Sequence, residues 1–204
     1  MKTPDEGECW GILGGTFDPI HNGHIQLAFD IQKIKNLDGI LLIPSFLHPF
    51  KKEHTSASFE DRLRMLQLAS QAYKTFYIST IEKEKQLSGF TIDTIRAIKN
   101  EYPKTMFNFL IGADNIEQFP IWHHASEIID EIHVVAGKRP PFQMQNIEND
   151  FSNQIEYIET TELEISSTEI KQMILEHKFE KLSTILDPKV LQYITERNLY
   201  SYEK

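Results

Sequence analysis

Short apolar runs separated by stretches of helical periodicity are the feature that most narrows what this 204-residue chain can fold into. "CWGIL" and "GILLIP" read as buried strands, the second closed by Pro44, and residues 23–36 between them place Leu27, Ile31 and Ile34 at helical spacing. "SFEDRLRMLQLASQA" opens on Ser58 with Asp61 three residues later, a capping-box-like helix start, and then carries Met65, Leu68, Ala69 and Ala72 as a core stripe. "TFYIST", "MFNFLIG", "EIHVVAG" and the weaker "QIEYIE" add strands, and Thr91–Tyr102 adds a helix. Strands alternating with helices predict an α/β chain with a doubly wound parallel sheet and right-handed crossovers. Residues 141–154 are polar and patternless, as in a surface loop. Further on, "SSTEIKQMILEH" predicts a helix with a double hydroxyl cap that buries Ile170, Met173 and Ile174. Asp187 and Pro188 then supply N-cap and first-turn chemistry for a helix through Arg197. The expectation is one domain over residues 1–204, with a small helical cap from about residue 166 to 204.

Charge and cysteine content limit the partners. With 21 basic against 30 acidic side chains the formal charge is −9, and there is no long Lys/Arg run. Such a surface repels phosphate backbones, which argues against a nucleic-acid partner; a phosphate ligand has to be held locally by N–H groups and a few cations. Cys9 is the only cysteine, which excludes an intrachain disulfide and a cysteine-based zinc cluster. "MKTPDEGECW" lacks the apolar core of a signal peptide, and no apolar run approaches the ~18 residues of a membrane span. A soluble cytoplasmic protein with no membrane partner is expected; self-association into a homo-oligomer is left open.

The stretch "GILGGTFDPIHNGHIQLAFD" stands where the first strand turns into the first helix. A doubly wound sheet binds ligands beyond the carboxyl ends of its strands. Gly14 and Gly15 allow backbone to approach a ligand closely, since no Cβ intervenes. A helix beginning near Gly23 directs N–H groups and a positive dipole end to the same place. His21 and His24, three apart, share a face of the first turn and can donate to phosphate oxygens. Glycines at such a turn can also be purely structural, and a His pair can be half of a metal site, although no third ligand is apparent. Neither Gly-x-Gly-x-x-Gly nor the Gly-Lys-Ser/Thr phosphate loop is present.

"GGTFDPIHNGH" closely resembles the signature of bacterial nicotinate mononucleotide adenylyltransferases, in the His-x-Gly-His nucleotidyltransferase superfamily. "GFTIDTI", "LIGADNIEQFPIWHH", "GKRP", "ISSTEIK" and "NLY" are similar to further segments of that family, so the likeness runs from about Trp10 to Tyr200. It implies a Rossmann-like nucleotidyltransferase domain that joins ATP to nicotinate mononucleotide, giving deamido-NAD and pyrophosphate. Other phosphorylated acceptors, nicotinamide mononucleotide, and a nucleotide-binding homologue with impaired catalysis remain alternatives.

By that resemblance His21, His24 and Lys171 are the catalytic candidates. Gly14, Gly15, Thr16, Phe17, Gly23, Gly112, Asp114, Ser167 and Thr168 would bind ATP. Lys51, Thr91 and Trp122 would bind the mononucleotide. Read without the family, Ser167, Thr168 and Thr91 can be plain caps, Asp114 an N-cap, Trp122 a core residue, and Lys51 and Lys171 solvated lysines. Mg²⁺ would come with ATP, held largely through water and phosphate oxygens, with no protein metal site. The chain departs from the family pattern at Phe50 (histidine), Phe90 (tyrosine) and Lys171 (arginine), the last replacing a bidentate fork by a point charge.

Overall fold

The computed structural model describes residues 3–47, 56–112, 115–138, 151–161 and 165–201. Six parallel strands form its sheet: β1 (Cys9–Gly15), β2 (Gly39–Pro44), β3 (Phe76–Ile78), β4 (Met106–Gly112), β5 (His133–Lys138) and β6 (Glu156–Glu159). Their order is β3-β2-β1-β4-β5-β6, so β1 is central and the winding reverses beside it. Registers such as Ile12 against Leu41 on one side and Phe109 on the other fix the strand ends at a common edge.

Both faces of the sheet are covered, and this is why its strands read as continuous apolar runs. Leu13, Leu42, Leu110 and Val135 point to a layer that holds α1 (Asn22–Lys35), α2 (Phe59–Ser70), α6 (Ser167–Leu175), α7 (Phe179–Ile185) and α8 (Pro188–Glu196). Their neighbours Ile12, Leu41, Phe109 and Val134 face α4 (Thr91–Glu101), α5 (Ala125–Glu131) and the short α3 (Ile81–Glu84). The sheet is thus doubly wound, with α6–α8 laid over the α1–α2 side. Ser58 caps α2 as its spacing predicts: its hydroxyl oxygen accepts from the Asp61 N–H at 3.0 Å. Tyr193 on α8 donates to Asp61 at 2.8 Å and so joins the last helix to α2. Among the described residues, no helix is long and apolar enough to cross a membrane.

Several sequence expectations need correction. Ile34 has helical spacing but is 53% exposed, because the buried face of α1 is Ile25, Leu27, Ala28 and Ile31. Helix α2 ends at Ser70, which leaves Ala72 exposed, while Leu66, absent from the expected stripe, is fully buried. Met173 packs only half-buried against the core, and "TFYIST" pairs over three residues alone. Helices α3, α5 and α7, of four, seven and seven residues, are too short for periodicity to reveal.

Gly39 marks a tight contact within the sheet. It pairs with Trp10, whose fully buried indole lies where a Cβ on residue 39 would come within 2.6 Å. Gly39→Ala is expected to displace that ring and lower stability by about 1–3 kcal/mol, measured by urea denaturation; an unchanged midpoint contradicts it.

Candidate active site

At the carboxyl end of β1 the backbone turns through Thr16, Phe17, Asp18, Pro19 and Ile20 to reach α1. A Cβ on Gly14 would meet nothing within 4 Å, so that side of the strand end is open. Phe17 has φ 51° and a buried ring set edge-on to His24, with centroids 5.2 Å apart. The Asp18–Pro19 peptide is cis. His21 occupies the N-cap of α1 in extended conformation, and its ring lies 3.8 Å from that of His24 one turn on. The two imidazoles therefore sit together at the positive end of a 14-residue helix.

A second helix start faces this loop. Ser166 is the N-cap of α6, in a reciprocal capping box with Glu169. This corrects the double hydroxyl cap: Ser167 is the first helical residue, and its hydroxyl donates instead to the Pro19 carbonyl at 3.0 Å. Thr168 and Lys171 follow on the same turn. Lys171 Nζ is 3.4 Å from Asp18 Oδ2 and 3.3 Å from the Ser56 hydroxyl. Asp18 also accepts from the Ser56 and Ala57 N–H groups at 3.0 and 3.2 Å and from the Tyr200 hydroxyl at 2.8 Å. Burial, then the Asp18 charge, drives the Tyr200 hydroxyl far above its ordinary range, so it remains a proton donor.

The other wall belongs to β4 and α4. Gly112 ends β4, and Thr91 begins α4 just after Phe90, whose ring lies 4.1 Å from that of His123. Trp122 is half-buried against Phe119 and Phe109 at 5.3 and 6.2 Å. All these walls bound one cavity of about 1150 Å³, larger than the roughly 300–1,000 Å³ usual for a single small ligand. It brings together Gly14, Gly15, Thr16, Phe17, His21, Gly23, His24, Thr91, Gly112, Trp122, Ser167, Thr168 and Lys171. Lys51 and Asp114 lie outside the described residues, as does Phe50.

The chain is similar to known proteins. A family model described as cytidylyltransferase-like matches residues 12–173. The nicotinate-nucleotide adenylyltransferase of Bacillus subtilis is 35% identical over 191 residues, covering 93% of this chain and 97% of that protein. The chain belongs to this adenylyltransferase family. Nicotinic acid mononucleotide adenylyltransferase of Plasmodium falciparum, solved in complexes with NaAD and with APC, has the same fold. In both cases the TM-score is 0.78 at 20% identity, over 96% of this chain and 98% of that one.

Two buried charged residues around the site are not apparent from its motifs. Arg62 is 1% exposed, in what reads as an ordinary amphipathic helix. Glu82 is 6% exposed within the charged run "IEKEKQ" and lines the cavity. Its carboxylate accepts from the Phe46 N–H at 2.9 Å and the Thr94 hydroxyl at 2.8 Å, joining the segment after β2 to α4. Burial raises the Glu82 pKa, and these two hydrogen bonds with the Arg62 charge only partly offset it. The folded chain therefore holds this proton more tightly than the unfolded chain, so the carboxyl's contribution to stability falls as pH rises from the ordinary glutamate range through the raised value. The stability advantage of the wild type over Glu82→Gln is expected to shrink as pH rises from about 4 to 7 in urea titrations. A gap that widens with pH contradicts the effect of burial.

Proposed function

We propose that this chain transfers the adenylyl group of ATP to nicotinate mononucleotide, forming deamido-NAD and releasing pyrophosphate, in the cytoplasm. The observation that carries this reading is the paired imidazoles of His21 and His24 beside the open backbone at Gly14, on a cavity also reached by the start of α6. The mononucleotide phosphate is already ionised at neutral pH, so its oxygen can attack the α-phosphorus without a general base. Catalysis then consists of alignment and neutralisation of spreading negative charge. The site suits this: it offers imidazoles, backbone N–H groups and an ammonium.

In this reading His21 and His24 donate to the triphosphate, with Gly14, Gly15, Thr16, Phe17 and Gly23 giving it close backbone. Ser167, Thr168 and the first N–H groups of α6 meet the same phosphates, and Lys171 leaves Asp18 to follow the departing pyrophosphate. Gly112 and Asp114 are assigned to the ATP ribose, Lys51 to the mononucleotide phosphate, and Thr91 and Trp122 to its pyridine ring.

Mg²⁺ fits as a companion of ATP. Among the described residues no group of three or more His, Cys, Asp or Glu is placed to hold an ion, and the Asp18 carboxylate is engaged by four donor residues. Phosphate oxygens and water would hold the ion, which supplies charge neutralisation.

His24→Ala is expected to keep the fold by circular dichroism and lower kcat by about 10²–10³, the loss typical of one donor to developing charge. Near-normal pyrophosphate release by that variant contradicts the mechanism. Running the assay with nicotinamide mononucleotide beside nicotinate mononucleotide decides the acceptor: equal turnover on both removes the assigned preference.

A further inference from the structure

Arg62 lies on α2 and does not line the cavity, yet it bonds to two segments that do. Its Nη1 donates to the Thr16 carbonyl at 2.6 Å and its Nη2 to the Ser45 carbonyl at 2.8 Å. Thr16 belongs to the loop after β1, and Ser45 directly follows β2. The two are also joined by the Ser45 N–H, which donates to the Gly15 carbonyl at 2.9 Å. A planar trans peptide sets the Thr16 carbonyl and the Phe17 N–H on opposite sides, so holding one turns the other away from the guanidinium.

Taking a guanidinium to this depth costs more desolvation than an apolar side chain of similar size. Burial draws its pKa down, opposed by the charges of Asp18 and Glu82, and Arg62 stays a cation at neutral pH. The Phe59 ring, 5.4 Å from the guanidinium carbon, covers it, and its buried Nε has no hydrogen-bond partner. Packing alone does not explain such a residue. The two carbonyls do, because a planar fork spans both and a single ammonium does not.

We infer that Arg62 is a positioning residue for adenylyl transfer: it fixes the separation of two cavity-lining segments, the triphosphate-facing loop at Thr16 and the end of β2 at Ser45. This rests on the function proposed above. Both segments line the one cavity that has to hold the two nucleotides, so loosening the clamp shifts one wall against the other. It acts on turnover more than on the affinity for either nucleotide.

The test is Arg62→Lys, which keeps the charge and loses the fork. Its kcat is expected to fall about 10–100-fold, the scale of an ångström-sized misplacement. The Kd for ATP alone, by calorimetry, should stay within about threefold of wild type. A kcat within twofold of wild type, corrected for the folded fraction, overturns the inference and leaves Arg62 structural. Loss of ATP affinity in step with kcat overturns it too. A wild-type chain that releases no pyrophosphate from ATP and nicotinate mononucleotide removes the reaction itself, whereas an active wild type with an equally active variant removes only the role of Arg62. If the variant does not fold, hydrogen exchange on the unaltered chain decides. The bonded amides of Ser45 and Phe46 should be protected to the same order as α2, and their exchange at the unfolded rate while α2 stays protected overturns the clamp.

Discussion

One buried carboxylate holds the reactive end of this molecule together. Asp18 receives N–H groups from Ser56 and Ala57, a hydroxyl from Tyr200 and the ammonium of Lys171, and so binds three separate parts of the chain to the loop after β1. A lone buried anion would be expensive; with every lone pair engaged it becomes an anchor. Arg62 grips the same loop one residue pair away, at Thr16, and the Ser167 hydroxyl grips it at Pro19. A loop without secondary structure thus has three side-chain anchors, and the histidine pair inherits their rigidity.

Much of this was legible in the residues. The sheet could be read because strands buried on both faces have no polar alternation, and the histidine pair because three-residue spacing places both rings on one helix face. The Ser58 cap followed from its carboxylate three positions on. Other features left no local trace. Arg62 sits in "DRLRML", where Arg64 at the next polar position is exposed, and nothing in the pattern says which guanidinium turns inward. Glu82 is one acid in a charged run, and only tertiary packing selects it for burial. Ile34 has the right spacing, but the face of α1 that packs on the core is Ile25, Leu27, Ala28 and Ile31. Two serines in a row look alike to a capping rule, and only the fold shows that Glu169 reciprocates with Ser166.

The departures from the family pattern now have surroundings. Phe90 has no hydroxyl, and its ring instead packs, tilted, against His123 on the cavity wall. Lys171 replaces a fork by a point charge, which rests on Asp18 at the cavity wall and suits a group that, in the proposed reaction, has to leave that carboxylate for phosphate. These substitutions alter the rim around the assigned nucleotide positions, while the glycines and imidazoles at its centre keep the family pattern.

The bond from Tyr200 to Asp18 joins residues 182 positions apart. During synthesis the glycine–histidine turn leaves the ribosome well before the hydroxyl that completes its anchor, 182 residues downstream. At about 5–20 residues per second this interval lasts on the order of ten seconds or more. Through that time the nascent chain carries the turn without this tether, so assembly of the cavity wall is timed by a residue far downstream of it.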